Sequence, residues 1–541
     1  MRRDFERFIK GTCIDISHEG KGVVKAKGEI IFCDGLFVGE TADIEILYRR
    51  ANVLFGKVKK LYNLSDKRIQ PKCKICSSCG GCQYQQLNYQ EQLVIKTKRV
   101  KDALERIGHI KTKVNPCLGM EDPYYYRNKI QMPYAKDKKG NVCYGFYRQN
   151  THEIIPVKEC VIEDKRASSI LWDIKELIKK HNIPVYNEDS RQGILRYVLV
   201  RTSYHFDEIM IVLVVSKINF PGQRNFIDAL IKLHPEITTV VANENSRSTN
   251  VILGNKEKVL YGKGVIKDSI LGCTFEISAS SFYQVNPIQV EVLYQKALDL
   301  IDINNNEIVL DAYSGVGTIG MIASKNAKEV ISVEINESSH RNAKENARRN
   351  NITNIQFYLD DAGKFIQNYP GKIDVVIMDP PRKGSDHNFL SAVMSRKIKK
   401  VIYISCDPET LARDLEELSE MYEVTYVQPV DMFPMTSHVE TVVLLSHRKA
   451  DDYVEVEITT DDFPITSAEL KATYQDIIEY VLKKYNVKVT NLEIAQMKQK
   501  YGIKERECYN KGKDNSKYLQ PKCTKEKENY IIDAFRYYKM I

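Results

Sequence analysis

Two loops in the last third of the chain carry residue types capable of covalent chemistry. Ser405-Cys406-Asp407-Pro408 closes one expected strand and Asp379-Pro380-Pro381-Arg382 closes another, so both lie at the carboxyl edge of a sheet. A cysteine ending a buried strand is ordinarily packing. Placed before Asp-Pro on a ligand edge, it becomes a nucleophile candidate. A third loop, Asp311-Ala312-Tyr313-Ser314-Gly315-Val316-Gly317-Thr318, follows a strand and opens a helix. Its glycines let a ligand approach the backbone closely. Glu334 ends the next strand, 23 residues after Asp311, where a carboxylate can bind both ribose hydroxyls. Asp361, after the third strand, can meet an adenine amino group. Read as a bare G-x-G turn without the full G-x-G-x-x-G, the loop argues against NAD. It suits S-adenosylmethionine, which has no pyrophosphate to cradle. The competing reading of the loop alone is an ordinary tight turn.

A thiol beside such a cofactor has a specific use. Carbon 5 of uracil is a poor nucleophile. A thiolate adding to carbon 6 makes the ring an enolate with charge at carbon 5, and that carbon can take a methyl group from a sulfonium. A base must then remove the carbon-5 proton so that the thiol can leave, which divides one hard step into easier ones. The base candidate is Glu440 in His438-Val439-Glu440-Thr441, at the start of the last expected strand; taken alone it reads as a surface carboxylate.

A second set of cysteines sits near the amino end. Cys73, Cys76, Cys79 and Cys82 are three residues apart. Such spacing wraps the corners of iron–sulfur clusters, whereas zinc ligands usually come as two C-x-x-C hooks separated by a longer span. Zinc and free thiols remain the alternatives.

Taken together, these landmarks resemble the RNA 5-methyluridine methyltransferase family, in particular its iron–sulfur branch acting on bacterial 23S ribosomal RNA. The resemblance runs over about residues 8–447. It also includes Cys79-Gly80-Gly81-Cys82-Gln83, Tyr126-Arg127-Asn128-Lys129 and Ser281-Phe282-Tyr283-Gln284-Val285-Asn286. It implies Cys406 as nucleophile and Glu440 as proton acceptor. It implies Gln284, Tyr313, Glu334 and Asp379, with Asp361 a weaker carry-over, as S-adenosylmethionine contacts. It also implies a [4Fe–4S] cluster on Cys73, Cys79, Cys82 and Cys160, with Cys76 extra. Many relatives have Asn after Ser-Cys; Asp407 keeps a side-chain acceptor at the same reach, so the change is expected to be tolerated.

The elements that must position these residues fall into four stretches. Residues 1–62 read as five short strands, a small barrel of the oligonucleotide-binding kind, and resemble the RNA-binding TRAM domain. Residues 1–72 carry 15 basic and 10 acidic residues, a surplus that fits nucleic acid. Residues 63–280 form a strand-rich α+β middle domain with the cysteine cluster and a helix near 89–107. Residues 281–450 alternate strand and helix, the pattern of a doubly wound α/β class I methyltransferase. Residues 451–541 form a small helical extension, acidic at first (1 basic and 9 acidic residues over 451–480) and then basic (15 and 7 over 481–541). A capping box is expected at Thr466-Ser467-Ala468-Glu469, with helices after it, at 490–501 and at 525–538. This extension reads either as an RNA-touching module or as helices folded on the main body.

Composition excludes other classes. In 541 residues, 43% are apolar and 28% charged, which are globular values. No apolar run is long enough to span a membrane, and Met1-Arg2-Arg3-Asp4-Phe5-Glu6-Arg7 lacks the apolar core of a signal peptide, so neither a membrane protein nor a secreted disulfide scaffold is expected. A cytoplasmic enzyme with reduced cysteines, acting as a monomer on RNA, is therefore expected. DNA is disfavoured because the Pro-Cys loop of DNA cytosine methyltransferases is absent. Two alternatives stand beside 23S ribosomal RNA methylation. One is a transfer-RNA uridine methyltransferase, whose branch usually lacks barrel and cluster. The other is a non-catalytic RNA-binding protein on the same fold.

Overall fold

The computed structural model describes residues 6–148, 151–247, 251–448, 472–503 and 524–541. Residues 1–448 form one compact unit and 449–541 a second.

The first unit begins with a closed barrel of five strands, Phe8–Ile16, Gly22–Ala26, Glu29–Asp34, Thr41–Arg50 and Val53–Leu61. Alternate residues such as Ile31, Cys33, Ile44, Ile46 and Leu54 point inward and fill it, the period-2 pattern of a half-buried strand. A middle sheet of seven strands follows, with Ile209–Val215 and Leu195–Thr202 among its inner members. Ile209-Met210-Ile211-Val212-Leu213-Val214-Val215 is buried throughout. Each such side chain contributes about 1.5–3 kcal/mol on burial. The helices Lys165–Lys180 and Gln223–Leu233 pack their apolar stripes on one face of this sheet.

The third layer is a seven-stranded sheet in the order Ile355–Leu359, Glu329–Glu334, Ile308–Ala312, Val375–Met378, Lys400–Ser405, Glu440–His447 and Tyr422–Val430. The first five are parallel, and Glu440–His447 runs antiparallel to both of its neighbours. The order reverses at Ile308–Ala312, and a doubly wound sheet binds its ligand outside the strand ends at such a switch point. The helix Tyr89–Arg106 contributes Val100, Ala103 and Leu104 to this layer's core, so a segment ahead of the middle sheet in sequence is packed into the methyltransferase layer.

In the second unit the helices Tyr474–Tyr485, Asn491–Lys500 and Lys525–Tyr537 enclose Ile477, Val481, Ile494, Met497, Ile531 and Phe535. Capping boxes form at Thr473 with Asp476 and at Thr490 with Glu493. The expected box at Thr466–Glu469 lies outside the described residues. Among the described residues, no helix is long and apolar enough to cross a membrane.

Candidate active site

The strand ends at the switch point open onto a cavity of about 840 Å³. Gln284, Tyr313, Glu334, Asp361, Asp379, Cys406 and Glu440, seven residues singled out from the sequence, all line it. They arrive from separate loops spanning more than 150 positions, so only the fold unites them.

One end of the cavity is built on the glycine loop. Glu334 Oε2 accepts the Gly315 N–H at 2.8 Å and Oε1 accepts that of Asn336 at 2.6 Å, which fixes the carboxylate at the strand end. Tyr313 adopts a positive φ of 62°. Its hydroxyl meets Ser385 Oγ at 2.8 Å, and its ring lies against Phe389. Asp361 caps the helix Ala362–Asn368 through the Lys364 N–H. Ser314 Oγ, on the cavity wall, is buried without a hydrogen-bond partner. An orphaned hydroxyl beside a fixed carboxylate, with Val316, Ile319 and Ile335 as apolar wall, fits an adenosine.

The glycine spacing requires a correction. Gly320 completes Gly315-Val316-Gly317-Thr318-Ile319-Gly320, so the full G-x-G-x-x-G is present and does not by itself separate S-adenosylmethionine from NAD. The structure gives Gly320 its reason: a Cβ there would lie 2.4 Å from Asp311 Oδ2. Asp311 Oδ2 accepts the Gly320 N–H at 3.0 Å. Asp311 thus braces the loop from beneath and does not line the cavity.

The other end holds the reactive groups. Burial, then Glu440 and Asp379, push the Cys406 thiol up to about 12, while Arg382 opposes them. Burial raises Asp379 to about 7. Burial and then Asp379 raise Glu440 to about 8, again against Arg382. Values this close to neutral pH let a carboxyl both take up and release a proton, as acid–base groups must. Asp407 caps the helix Pro408–Leu418, its Oδ1 accepting the N–H groups of Glu409 and Thr410 at 3.2 and 3.1 Å. The acceptor expected of Asp407 is therefore in use.

Several lining residues had no role assigned from sequence. Arg382 and His438 were legible only as parts of motifs. Phe282, whose place in the Ser281–Asn286 motif reads equally as stacking on a displaced base or as packing, is 71% exposed at the cavity edge beside Gln284. Arg127, Phe433 and Thr436 also line the wall, and so does Gly81 of the cysteine loop. That loop is braced on the segment leading to Glu440: Gln83 Oε1 accepts the Ser437 N–H at 3.2 Å, and Met435 O accepts that of Tyr84 at 3.0 Å.

The thiols of Cys73, Cys76, Cys79 and Cys82 are electrostatic neighbours, and the fold brings Cys160 beside Cys79 and Cys82. Cys73, Cys82 and Cys160 pack against one apolar cluster, with Tyr126 and Met435 in it. The donor set is right in kind for a thiolate-bound metal centre. Among the described residues, however, no three His, Cys, Asp or Glu side chains are arranged to hold a metal ion.

With this geometry in place, comparison with known proteins is informative. A family model described as tRNA (Uracil-5-)-methyltransferase matches residues 88–448. An uncharacterized RNA methyltransferase of Clostridium tetani is 43% identical over 433 residues, covering 79% of this chain and 94% of its own length. One from Bacillus cereus is 42% identical over 444 residues, covering 81% and 96%. Among solved structures, the Pyrococcus abyssi tRNA (uracil-54, C5)-methyltransferase in complex with S-adenosyl-L-homocysteine superposes with a TM-score of 0.66 at 27% identity. That match covers 81% of this chain and 99% of the other.

Proposed function

The chain belongs to the tRNA (uracil-5-)-methyltransferase family, and from that premise we propose that Cys406 and Glu440 carry out methylation of an extruded uridine in a structured RNA. It is an S-adenosylmethionine-dependent RNA (uracil-C5) methyltransferase. The observation that carries the assignment of roles is the convergence of Cys406, Glu440, Asp379 and Arg382 on the cavity that the glycine loop also lines.

S-adenosylmethionine, when bound, supplies an electrophilic methyl group. Glu334 and the Ser314 hydroxyl are suited to the ribose, Asp361 to the adenine edge, and Gln284, Tyr313 and Asp379 to the remainder. Cys406 Sγ adds to carbon 6 of the uracil ring, and carbon 5 takes the methyl. Glu440 accepts the carbon-5 proton, and Sγ departs as the ring double bond is restored. Arg382 is the cation that favours the thiolate. The target base must leave its stack to enter, and Phe282 is exposed at the entrance to stack against it or fill its place.

Transfer RNA is the better-supported substrate class. The expectation of 23S ribosomal RNA rested on the barrel and the cysteine loop. Against it stands a transfer-RNA enzyme that aligns over 99% of its length with 81% of this chain. 23S ribosomal RNA remains the second reading, carried by the family landmarks in the cysteine loop. Transfer of labelled methyl groups to purified transfer RNA and to 23S ribosomal RNA, followed by mapping of 5-methyluridine, separates the two. Trapping on 5-fluorouridine RNA tests the mechanism. Cys406→Ala should form no adduct on it, and Glu440→Gln should accumulate an adduct on ordinary uridine RNA, where the wild type turns over; an adduct that persists in Cys406→Ala overturns the roles.

For the cysteine loop we propose a [4Fe–4S] cluster on Cys73, Cys79, Cys82 and Cys160, which would brace the loop against the cavity. What supports it is the all-thiol donor set and the approach of Cys160. Four iron and four sulfide per chain are expected after anaerobic purification; stoichiometric zinc overturns the assignment.

A further inference from the structure

Beside the catalytic cavity lies a smaller one of about 140 Å³, space for roughly four to five waters. Tyr124, Tyr125, Tyr126, Tyr204, Asp164 and Thr202 line it. It shares a wall with the active site. Asn128 lines it too, while donating from Nδ2 to the Gln284 carbonyl at 3.2 Å and from its backbone N–H to Val285 O at 2.9 Å. We propose that this cavity takes a second base of the substrate RNA, an unstacked nucleobase with an exocyclic amino group next to the target uridine. This deepens the RNA-methyltransferase reading and rests on it.

Three independent features point to such an occupant. The walls are aromatic, and Tyr204 is 56% exposed. Single-stranded bases are held by stacking on such rings. Next, a buried polar atom is left waiting. The Thr202 residue is only 3% exposed, and its Oγ1 bears on the Asp164 carboxylate and helps to hold it ionised, while making no well-aligned hydrogen bond of its own. Buried hydroxyls are normally satisfied, so this one is a candidate ligand contact. Finally, the charges suit a base carried on a phosphate backbone. The Lys72 and Lys165 ammonium groups sit over the rings of Tyr124 and Tyr125, 3.7 and 4.2 Å from their centroids. They offset the like charge of Asp164 toward phosphate.

The carboxylate also sets the preference. Burial pushes Asp164 up, but its hydrogen bonds from Arg166 outweigh this and hold it below the usual carboxylate range, so it is an acceptor only. A carboxylate acceptor beside a hydroxyl reads an amino edge, as Asp and Glu do with cytosine N4. Adenine, cytosine and guanine fit it; uracil offers only a ring imino N–H.

The test uses the RNA that the enzyme methylates, with an abasic nucleotide placed in turn at each position flanking the target. One abasic position should raise the wild-type KM about tenfold with kcat unchanged. Thr202→Val and Tyr204→Ala should each raise KM similarly and respond no further to that abasic substitution, because a shared contact is lost only once. Thr202→Val removes this poorly aligned hydroxyl at constant shape, so the melting temperature should hold within a degree or two while KM worsens, an outcome a purely structural role would not give. Equal KM values for variants and wild type overturn the proposal, as does an abasic penalty that adds in full to the variants' penalty. Failure of the underlying reading looks different: no RNA is methylated even by the wild type.

Discussion

Arg382 Nη2 lies 3.1 Å from Nδ1 and 3.4 Å from Nε2 of His438, so the guanidinium is held against an imidazole rather than a carboxylate. A guanidinium can only donate. Burial, then Arg382 and the nearby Arg99, Lys96 and Arg127, push His438 down to about 4. The ring is therefore neutral across the working pH range, and the full charge of Arg382 remains available to Cys406 and Glu440. An Asp or Glu at 438 would neutralise it.

This leads to a prediction on thiol reactivity that needs no RNA. Arg382→Met should slow alkylation of Cys406 by iodoacetamide at pH 8 by about tenfold, equivalent to one unit of thiol pKa. His438→Ala should give a smaller loss, and His438→Glu a loss close to that of Arg382→Met. Mass spectrometry of the Cys406 peptide against time reads this directly. Unchanged rates in Arg382→Met would remove Arg382 as the activating cation.

A second prediction concerns stability. The folded Glu440 carboxyl sits at about 8, well above its ordinary value near 4.5. A group raised in this way contributes its stability in full below the unfolded value and loses it as pH rises through the folded one. Without ligand, the wild type should therefore weaken between about pH 5 and 8, and Glu440→Gln should not share that loss. Its melting temperature should match the wild type at pH 5 and exceed it by several degrees at pH 9. A constant difference across the range would refute the linkage.

A third prediction lies outside the reaction. Lys96 and Asp431 form a fully buried ion pair. Tyr89 donates to Asp431 Oδ2 at 2.9 Å, and Lys96 Nζ donates to Phe433 O at 3.1 Å. The pair ties the helix Tyr89–Arg106 to the segment that carries Phe433 and His438. Lys96→Met leaves Asp431 buried and uncompensated and should cost about 3–5 kcal/mol, measurable by urea unfolding.

A fourth concerns the cofactor. Glu334 fixes Gly315 and Asn336 through two backbone N–H groups. Glu334→Gln retains the shape but surrenders the charge-assisted bonds, so S-adenosylhomocysteine should bind roughly 10- to 100-fold more weakly by calorimetry. Retained affinity would move the ribose site elsewhere on the wall.

What was legible in the sequence follows from the range of the signals. The strand–helix alternation from 307 onward and the barrel strands are local periodicities, and the strand-end placement of Cys406, Glu334 and Asp379 followed from them. Gly320 completes a pattern wholly legible in the sequence, whereas the reason for it, a contact with Asp311 nine positions back, is not. Gly81, Arg127 and Phe433 come to the wall through pairings that span hundreds of residues, such as Gln83 with Ser437 and Lys96 with Asp431. No local pattern announces those contacts. The small tyrosine cavity was invisible for the same reason: Thr202 faces Asp164 only because strand Leu195–Thr202 pairs with Lys129–Lys136, and the Thr202 N–H donates to Asn128 O.

The last prediction addresses the extension. The family model ends at residue 448, the compact unit containing the cavity ends there as well, and the curated relatives match about four-fifths of this chain while aligning over nearly all of their own length. The three helices enclose an apolar core of their own, and Thr473, Thr490 and Thr524 cap their amino ends. Among the described residues, none that lines the catalytic cavity lies beyond 440. A chain ended after Arg448 should therefore fold and keep its kcat within about twofold, since nothing that touches the reacting atoms has been removed. If the basic half of the extension touches RNA, the same truncation should raise KM and flatten its dependence on salt, because each lost phosphate contact lowers that slope by about one. If the extension serves another purpose, KM and its salt dependence should match those of the full chain. A loss of kcat would show that the extension contributes to the reacting centre itself.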